Sequence, residues 1–99
     1  MIYLENENDF EKIVSEGVTL VDFYANWCGP CNMLGPVLEE VAKEHNEVKF
    51  LKVDTDMFMA LAQRFGIMSI PCLKLFRDGV EVKSSVGFMD KKEIEDLIK

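Results

Sequence analysis

The sequence predicts an α/β fold in which helices cover a central sheet. Short apolar segments rich in β-branched and aromatic residues alternate with amphipathic helical segments along the whole chain. Near the carboxyl end, two strand segments follow one another across a tight turn. The predicted order is therefore β-α-β-α-β-α-β-β-α. Strands that alternate with helices predict a mostly parallel sheet with helices on both faces, and the final hairpin predicts an antiparallel edge.

The first two helices are predicted from their end signals. Asn8 and Glu11 form a capping-box pattern, and Gly17 ends the segment that follows. Pro30 suits the first turn of the second helix, whereas Pro36 lies inside it and should kink it. The buried side of this second helix is predicted to carry six residues: Met33, Leu34, Val37, Leu38, Val41 and Ala42.

The remaining elements follow from the same patterns. Asp56 is predicted to cap a third helix that carries Met57 and ends at Gly66, and Asp90 with Glu93 forms a capping box for the fourth. The dipeptide 78–79 is Asp-Gly, a strong hairpin signal. Residue ranges are predicted for four of the five strands: 18–25, 48–54, 71–77 and 80–86.

Composition bounds the function classes. A chain of 99 residues with 48% hydrophobic residues suits one domain, residues 1–99, with a real core. Its net charge of -7 argues against nucleic acid as a partner, because phosphate contacts need Lys and Arg. The opening residues do not resemble a signal peptide, and no stretch is apolar enough to predict a membrane span. We therefore expect a cytoplasmic, reducing location and no membrane partner.

The segment Trp27-Cys28-Gly29-Pro30-Cys31 carries the strongest chemical signal. Two thiols at this spacing can close a small disulfide ring and open it again, which is the requirement for thiol–disulfide exchange. The same spacing is half of a zinc site, but only His45 and Cys72 could complete one, and each stands alone in its region. An inert surface pair is the third interpretation.

The position of the pair favours the redox interpretation. Cys28 lies where a buried strand meets a helix, so the helix dipole and free backbone N–H groups should stabilise its thiolate. Cys31 lies one helical turn further on the same face, where we expect it to be less exposed and able to attack a mixed disulfide formed at Cys28. Pro30 restricts the loop between them and should favour the reduced, donating state.

Residues 21–31 (VDFYANWCGPC) resemble the active-site segment of the thioredoxin family. The resemblance extends from about Ile2 to Ile98. It implies a central five-stranded mixed sheet flanked by four helices. Further matches follow in order: Pro36, 53–54, 65–67, 70–71, 78–79 and 86–87.

The resemblance also implies an activity, that of a general protein dithiol–disulfide oxidoreductase acting as a monomer on protein substrates that contain disulfides. The Cys28 thiolate would attack the substrate disulfide, and Cys31 would resolve the intermediate, leaving a redox-active Cys28–Cys31 disulfide. A thioredoxin reductase would then restore the dithiol with electrons from NADPH, so no cofactor or metal would be bound to this chain.

Further site residues are assigned by the resemblance. Asp22 would accept a proton from Cys31 through a water molecule, and burial should raise the pKa of its carboxyl; a satisfied core carboxylate is the alternative. Ile70-Pro71 would form a cis peptide beside the dithiol, with Ile70 offering backbone hydrogen bonds to an extended substrate; a trans proline at the strand entrance is the alternative. The implied apolar docking surface comprises Trp27, Gly29, Pro30, Ile70, Pro71, Gly87 and Phe88.

Three residues depart from the family pattern. Cys72 stands where the family usually has Thr, as either a buried inert thiol or a third redox thiol. Asn32 removes a positive charge after the second cysteine. Phe50 occupies a place where many members have a Lys near the buried acid, so we expect Asp22 to lack that cation, although Lys52 could substitute.

Other side chains are given structural roles. Phe10, Phe23 and most of the six methionines are predicted to lie in the core, and His45 on the surface. The acidic residues are expected to cluster away from the dithiol, at 39–47 and 90–96. Trp27 could belong to either the docking surface or the core.

Two other function classes compete with the redox carrier. One is a binding module that uses the apolar surface without redox turnover. The other is an isomerase or oxidant built on the same fold, against which the Gly-Pro pair between the cysteines argues.

Overall fold

The computed structural model describes all residues, 1–99. Its nine elements follow the predicted order. The strands and helices are β1 (Ile2–Tyr3), α1 (Asp9–Val14), β2 (Val18–Tyr24), α2 (Gly29–Glu44), β3 (Val48–Asp54), α3 (Met59–Arg64), β4 (Cys72–Arg77), β5 (Val80–Val86) and α4 (Lys91–Leu97).

The five strands form one mixed sheet in the order β1-β3-β2-β4-β5. β3 pairs in parallel with β1 and β2, whereas β4 pairs antiparallel with β2 and β5. The prediction of a mostly parallel sheet was wrong, because the hairpin docks against the central strand β2 and reverses the direction of half the pairings. As a result, the carboxyl end of β2 meets the amino end of β4.

Each face of the sheet carries its own core. On the face covered by α1 and α3, the rings of Phe10, Phe23, Phe65 and Phe76 pack with centroids 5.3 to 5.9 Å apart. Burial of a large apolar side chain contributes about 1.5 to 3 kcal/mol. Phe10 and Phe23 are fully buried, as predicted. The opposite face packs aliphatic residues of α2 and α4 against the strands, including Leu20, Leu34, Leu38, Leu73 and Ile94.

Two predicted helix caps were wrong. Asn8 adopts helical backbone angles and makes no side-chain cap, because Asn6 closes the preceding turn by accepting the Asn8 N–H at 2.9 Å. In front of α3, Asp54 rather than Asp56 orders the chain, since its Oδ1 accepts the N–H groups of Asp56 at 2.8 Å and Met57 at 3.2 Å. Asp56 is thereby left to contact another part of the molecule.

Other end signals are confirmed. Asp90 and Glu93 form the predicted capping box at α4, and Pro30 lies in the first turn of α2. The turn between β4 and β5 places Asp78 at φ 50° and Gly79 at φ 87°, the left-handed pair that a tight hairpin turn needs. Pro36 lies inside α2, as expected. None of the four helices combines the length and apolar character that crossing a bilayer requires.

The methionines are the largest departure from the predicted core. Met89 packs partly against the core beneath α2 and α4, and the amino-terminal Met1 is exposed. The remaining four are strongly exposed: Met33 (64%), Met57 (66%), Met59 (63%) and Met68 (95%). Thioethers are only weakly polar and tolerate both environments, so hydropathy alone could not place them.

Candidate active site

The two cysteines of the 27–31 segment lie together at the carboxyl end of β2. Cys28 is the N-cap of α2 and Cys31 lies in its first turn, and the two form a disulfide with a Cα–Cα distance of 5.2 Å. Relative exposure is 5% for Cys28 and 2% for Cys31, in the predicted order. The geometry requires the strand-to-helix junction, because a continuous strand would point alternate side chains to opposite faces.

Backbone groups of α2 surround the Cys28 sulfur. Its Sγ accepts the N–H of Cys31 at 3.2 Å, which satisfies one of the free donors at the helix start. The amino end of a helix also carries partial positive charge. A thiolate formed at Cys28 on reduction would therefore sit beside a donor and a favourable dipole.

The residues before β4 form a wall beside the disulfide. The carbonyl oxygen of Ile70 lies 3.8 Å from Cys28 Sγ, and the Ile70-Pro71 peptide bond is cis. The carbonyl oxygen of Pro71 accepts the N–H of Gly87 at 2.8 Å, which connects residues 70–71 to the end of β5. Ile70 remains partly exposed while Pro71 is buried. The predicted docking residues Ile70, Pro71 and Gly87 thus lie on one side of Cys28.

Trp27 lies on the surface and not in the core, with 72% of its area exposed. Its indole Nε1–H donates to Asp56 Oδ2 at 2.9 Å, which links the dithiol loop to the loop before α3. Asp56, which lies outside the two acidic clusters of the sequence, is thus an acidic residue at the site. The sequence held a signal, since Asp54 at the end of β3 and Asp56 stand two residues apart and only one of them was needed to order the start of α3.

Asp22 is buried in the middle of β2, on the sheet face that α2 covers. Its Oδ2 lies 3.3 Å from the Nζ of Lys52, the residue directly opposite it on β3. Neither carboxylate oxygen accepts a hydrogen bond of good geometry from the protein. Desolvation raises the pKa of Asp22, and the charge of Lys52 offsets part of that rise.

The expectation that Asp22 lacks a cation was wrong. Phe50 packs in the aliphatic core, and Lys52, which shares its face of β3, supplies the ammonium group. The Lys52 ammonium also lies 4.2 Å from the centroid of the Tyr24 ring. Only 8% of Lys52 is exposed, so this ion pair is held in the interior.

The other two departures from the family pattern, Cys72 and Asn32, make only local contacts. Cys72 is a free buried thiol on the opposite sheet face, 3.9 Å from Ser84 Oγ, and burial raises its pKa. Asn32 donates from its side chain to the carbonyl of Asn26 at 3.2 Å and so closes the dithiol loop. His45 lies partly exposed at the surface, where it bridges Glu47 and Glu95.

A metal centre has no geometric support. No group of three or more His, Cys, Asp or Glu side chains converges as metal ligands would. His45 is engaged by two carboxylates far along α2, and Cys72 belongs to the opposite sheet face. The disulfide Cys28–Cys31 is therefore the chemical centre of the site.

The thioredoxin family model matches residues 1–99. The chain belongs to the thioredoxin family. It is 47% identical over 98 residues to the thioredoxin of Chlamydia muridarum, covering 99% of this chain and 96% of that one. The thioredoxin of Bacillus subtilis is 44% identical over 93 residues, covering 93% of this chain and 89% of that one.

Solved structures give the same answer. A mutant thioredoxin from Halobacterium salinarum superposes with a TM-score of 0.91 at 41% identity, covering 98% of this chain and 86% of that one. Plasmodium falciparum thioredoxin superposes with a TM-score of 0.92 at 30% identity, covering 99% and 96%. Together with the Cys28–Cys31 pair at disulfide distance, the family establishes that the chain is a protein-disulfide oxidoreductase.

Proposed function

We propose that the chain is a general protein-disulfide reductase in which Cys28 attacks the substrate and Cys31 releases it. The observation that carries this proposal is the asymmetry of the pair. Cys28 caps a helix, its sulfur accepts a backbone N–H at 3.2 Å, and it faces the Ile70 carbonyl at 3.8 Å. Cys31 is the more deeply buried partner.

The reaction moves two electrons in two exchanges. The Cys28 thiolate attacks one sulfur of a substrate disulfide, forming a mixed disulfide while the other substrate sulfur leaves as a thiolate. Cys31 then loses its proton and attacks Cys28 Sγ. The second substrate sulfur leaves, and the Cys28–Cys31 disulfide forms, so that the substrate is reduced and the chain oxidised.

Asp22 is proposed as the proton acceptor for Cys31. It lies on the face of β2 that packs under α2, the helix that carries Cys31 on its buried side. The raised pKa of its carboxyl suits exchange of a proton near neutral pH. Its Oδ1 has no protein donor and could take the proton, whereas Oδ2 lies 3.3 Å from the Lys52 ammonium.

The docking surface is proposed to surround Cys28. Gly29 and Pro30 are exposed in the first turn of α2, and Trp27 is exposed beside them. On the other side lie the segment 70–71 and Gly87. An extended substrate segment could pair with the backbone at Ile70 by β-addition, and its side chains would contact the apolar groups.

The complete cycle needs a second partner. We propose that a thioredoxin reductase returns electrons from NADPH to the Cys28–Cys31 disulfide, with no cofactor held by this chain. The proposed setting is the cytoplasm, where a reducing environment would keep the unpaired thiol of Cys72 from forming disulfides. We propose that the chain acts as a monomer.

A trapping experiment tests the order of attack. A Cys31→Ser variant incubated with insulin should accumulate a mixed disulfide at Cys28, because the resolving thiol is missing; peptide mass mapping identifies the linkage. The matched Cys28→Ser variant should accumulate far less. Equal trapping by both variants would contradict the assignment, and no trapping by either would favour the non-redox binding module.

A coupled assay tests the direction of the reaction. The reduced chain should reduce insulin in the presence of NADPH and a bacterial thioredoxin reductase, with NADPH consumption following insulin reduction. A reduction potential well above the value of about -270 mV for thioredoxin would instead indicate an oxidant or isomerase.

A further inference from the structure

The four strongly exposed methionines lie in α2, in the loop before α3, at the start of α3 and in the segment before Ile70-Pro71. Met33 is in α2, one turn from the exposed Gly29 and Pro30, and a helix places residues three and four positions apart on one face. Met68 is two residues before Ile70, whose carbonyl contacts Cys28. Methionine is therefore concentrated around the reactive end of the molecule.

The remaining two exposed methionines lie beyond Trp27. Met57 directly follows Asp56, whose carboxylate accepts the indole N–H of Trp27, and Met59 begins α3. The ordered loop holds the Met57 backbone through Asp54 while its side chain remains 66% exposed. These four residues, called here the methionine rim, are Met33, Met57, Met59 and Met68.

We propose that the methionine rim is a site of oxidation by hydroperoxides, and that its oxidation weakens docking of protein substrates. In the reaction, a thioether sulfur attacks the O–O bond of hydrogen peroxide. The sulfur loses two electrons and gains one oxygen as a sulfoxide, while the other peroxide oxygen leaves as water. The consequence for docking rests on the proposed reductase function.

Exposure and chemistry separate the rim from the other sulfur groups. The rim methionines are 63% to 95% exposed, whereas Met1 at the amino terminus is 41% exposed and Met89 packs partly against the core. Cys28 and Cys31 are protected from peroxide in the disulfide form. Cys72 is buried, and its raised pKa keeps it from forming the reactive thiolate.

The expected effect on docking follows from the change in polarity. A thioether is flexible and apolar and adapts to varied partner surfaces, whereas a sulfoxide is polar and must be desolvated when a partner covers it. Small disulfides need only the Cys28 sulfur, so their reduction should be much less sensitive. Oxidation of the rim should therefore slow the reduction of protein substrates without slowing the thiol–disulfide exchange itself.

The first test maps the modification. The chain in its disulfide form is treated with limiting hydrogen peroxide, and the peptides are mapped by mass spectrometry over time. The four rim methionines should each gain one oxygen before Met89 does. Oxidation of Met89 at the same rate as the rim would overturn the proposed site, and this readout does not depend on redox activity.

The second test measures docking. Treated and untreated chains are reduced with dithiothreitol, freed of reductant, and mixed with insulin or with a small aromatic disulfide in single-turnover experiments. Rim oxidation should lower the rate constant for insulin roughly three- to tenfold, as expected from weakening several apolar interface contacts. The rate constant for the small disulfide should change less than twofold, by the same estimate.

A variant with all four rim residues replaced, Met33→Leu, Met57→Leu, Met59→Leu and Met68→Leu, supplies the matched control. Each replacement conserves volume but cannot form a sulfoxide. Peroxide should leave this variant's insulin rate close to its own untreated value, whereas a Met89→Leu variant should stay as sensitive as the parent. Equal inhibition of the fourfold variant and the parent would overturn the proposal.

Failure of the proposed function gives a different pattern. If the untreated chain reduces neither insulin nor the small disulfide, the reductase assignment has failed and the docking consequence fails with it. If the small disulfide is reduced and the rate constant for insulin is unchanged after complete rim oxidation, the reductase chemistry stands and the docking consequence is overturned.

Discussion

Two lysines, one on each sheet face, are almost wholly buried and form ion pairs with carboxylates on neighbouring strands. Lys52 of β3 pairs with Asp22 of β2 at 3.3 Å, and Lys74 of β4 pairs with Glu81 of β5 at 2.8 Å. The lysines have equal exposure, 8% each. The carboxylates differ, since the side chain of Glu81 is 34% exposed and that of Asp22 only 3%.

The difference lies in how each charge is solvated. Lys74 donates to both Glu81 and Ser84, and Glu81 keeps contact with water. Asp22 has neither water exposure nor a well-formed hydrogen bond, so desolvation dominates and raises the pKa of its carboxyl despite the nearby ammonium. Two lysines of equal burial therefore face carboxylates whose charged forms are solvated to very different degrees.

Replacing each lysine should give the largest difference in stability between the two ion pairs. At pH 8, Lys52→Met should lower the free energy of unfolding by about 3 kcal/mol, because it leaves the buried carboxylate of Asp22 without its cation. Lys74→Met should cost only about 1 kcal/mol, because Glu81 can turn to water. Urea denaturation measures both.

The same variants give an internal check at lower pH. At pH 5 the loss in Lys52→Met should shrink, because Asp22 can take up a proton and become neutral. Equal losses for the two variants at pH 8 would contradict the distinction between the two pairs.

Neutralising Asp22 should have a smaller effect on the free energy of unfolding, and that effect should be a gain rather than a loss. A raised carboxyl pKa means that the folded chain binds this proton more tightly than the unfolded chain, whose Asp titrates near about 3.9. Stability is therefore lost as pH rises from about 4 through the folded pKa. Asp22→Asn should remove this loss and increase the free energy of unfolding at pH 7.5 by about 1 kcal/mol.

The matched control is Glu81→Gln, which removes the carboxylate charge of the half-exposed pair. It should produce no gain in stability at pH 7.5, because Glu81 remains solvated. An Asp22→Asn variant less stable than the parent at this pH would show that the ion pair, and not desolvation, decides the energetics of Asp22.

His45 forms a third ion pair, at the protein surface. Its replacement is expected to change stability least of the three. Its ring lies 3.0 Å from Glu95 and 3.2 Å from Glu47, and these hydrogen bonds raise the pKa of the imidazole. The stabilisation is fully present below the unfolded value of about 6.5 and is lost as pH rises through the folded pKa. His45→Gln should flatten that part of the melting-temperature profile, and an unchanged slope would contradict the bridge.

The sequence predicted the element order because apolar periodicity and turn chemistry agree at most elements. It predicted the dithiol because spacing alone brings Cys28 and Cys31 together on one helical turn. It offered Lys52 only as an alternative partner of Asp22, because the strand register, which pairs these residues directly, is a non-local property. Alternation along β3 could place Lys52 on a face but could not set it opposite Asp22.

Two further misses have physical causes. The position of Asp56 depends on which of two neighbouring carboxylates orders the turn before α3, and the folded backbone decides in favour of Asp54. Helical periodicity assigned Met33 to the buried side of α2, but the buried residues of this helix are Cys31, Leu34, Leu38 and Val41, and Met33 lies outside that stripe. The methionine rim is therefore visible only in the folded chain.

The proposed role of Asp22 in the second exchange is tested most directly by stopped-flow absorbance. Reduced chain mixed with a small aromatic disulfide releases one coloured thiolate when Cys28 attacks and a second when Cys31 resolves the mixed disulfide. In Asp22→Asn, the second phase should slow by about tenfold or more at pH 7, with a smaller effect on the first, because the proton acceptor is lost. Equal second-phase rates in the parent and in Asp22→Asn would contradict the account.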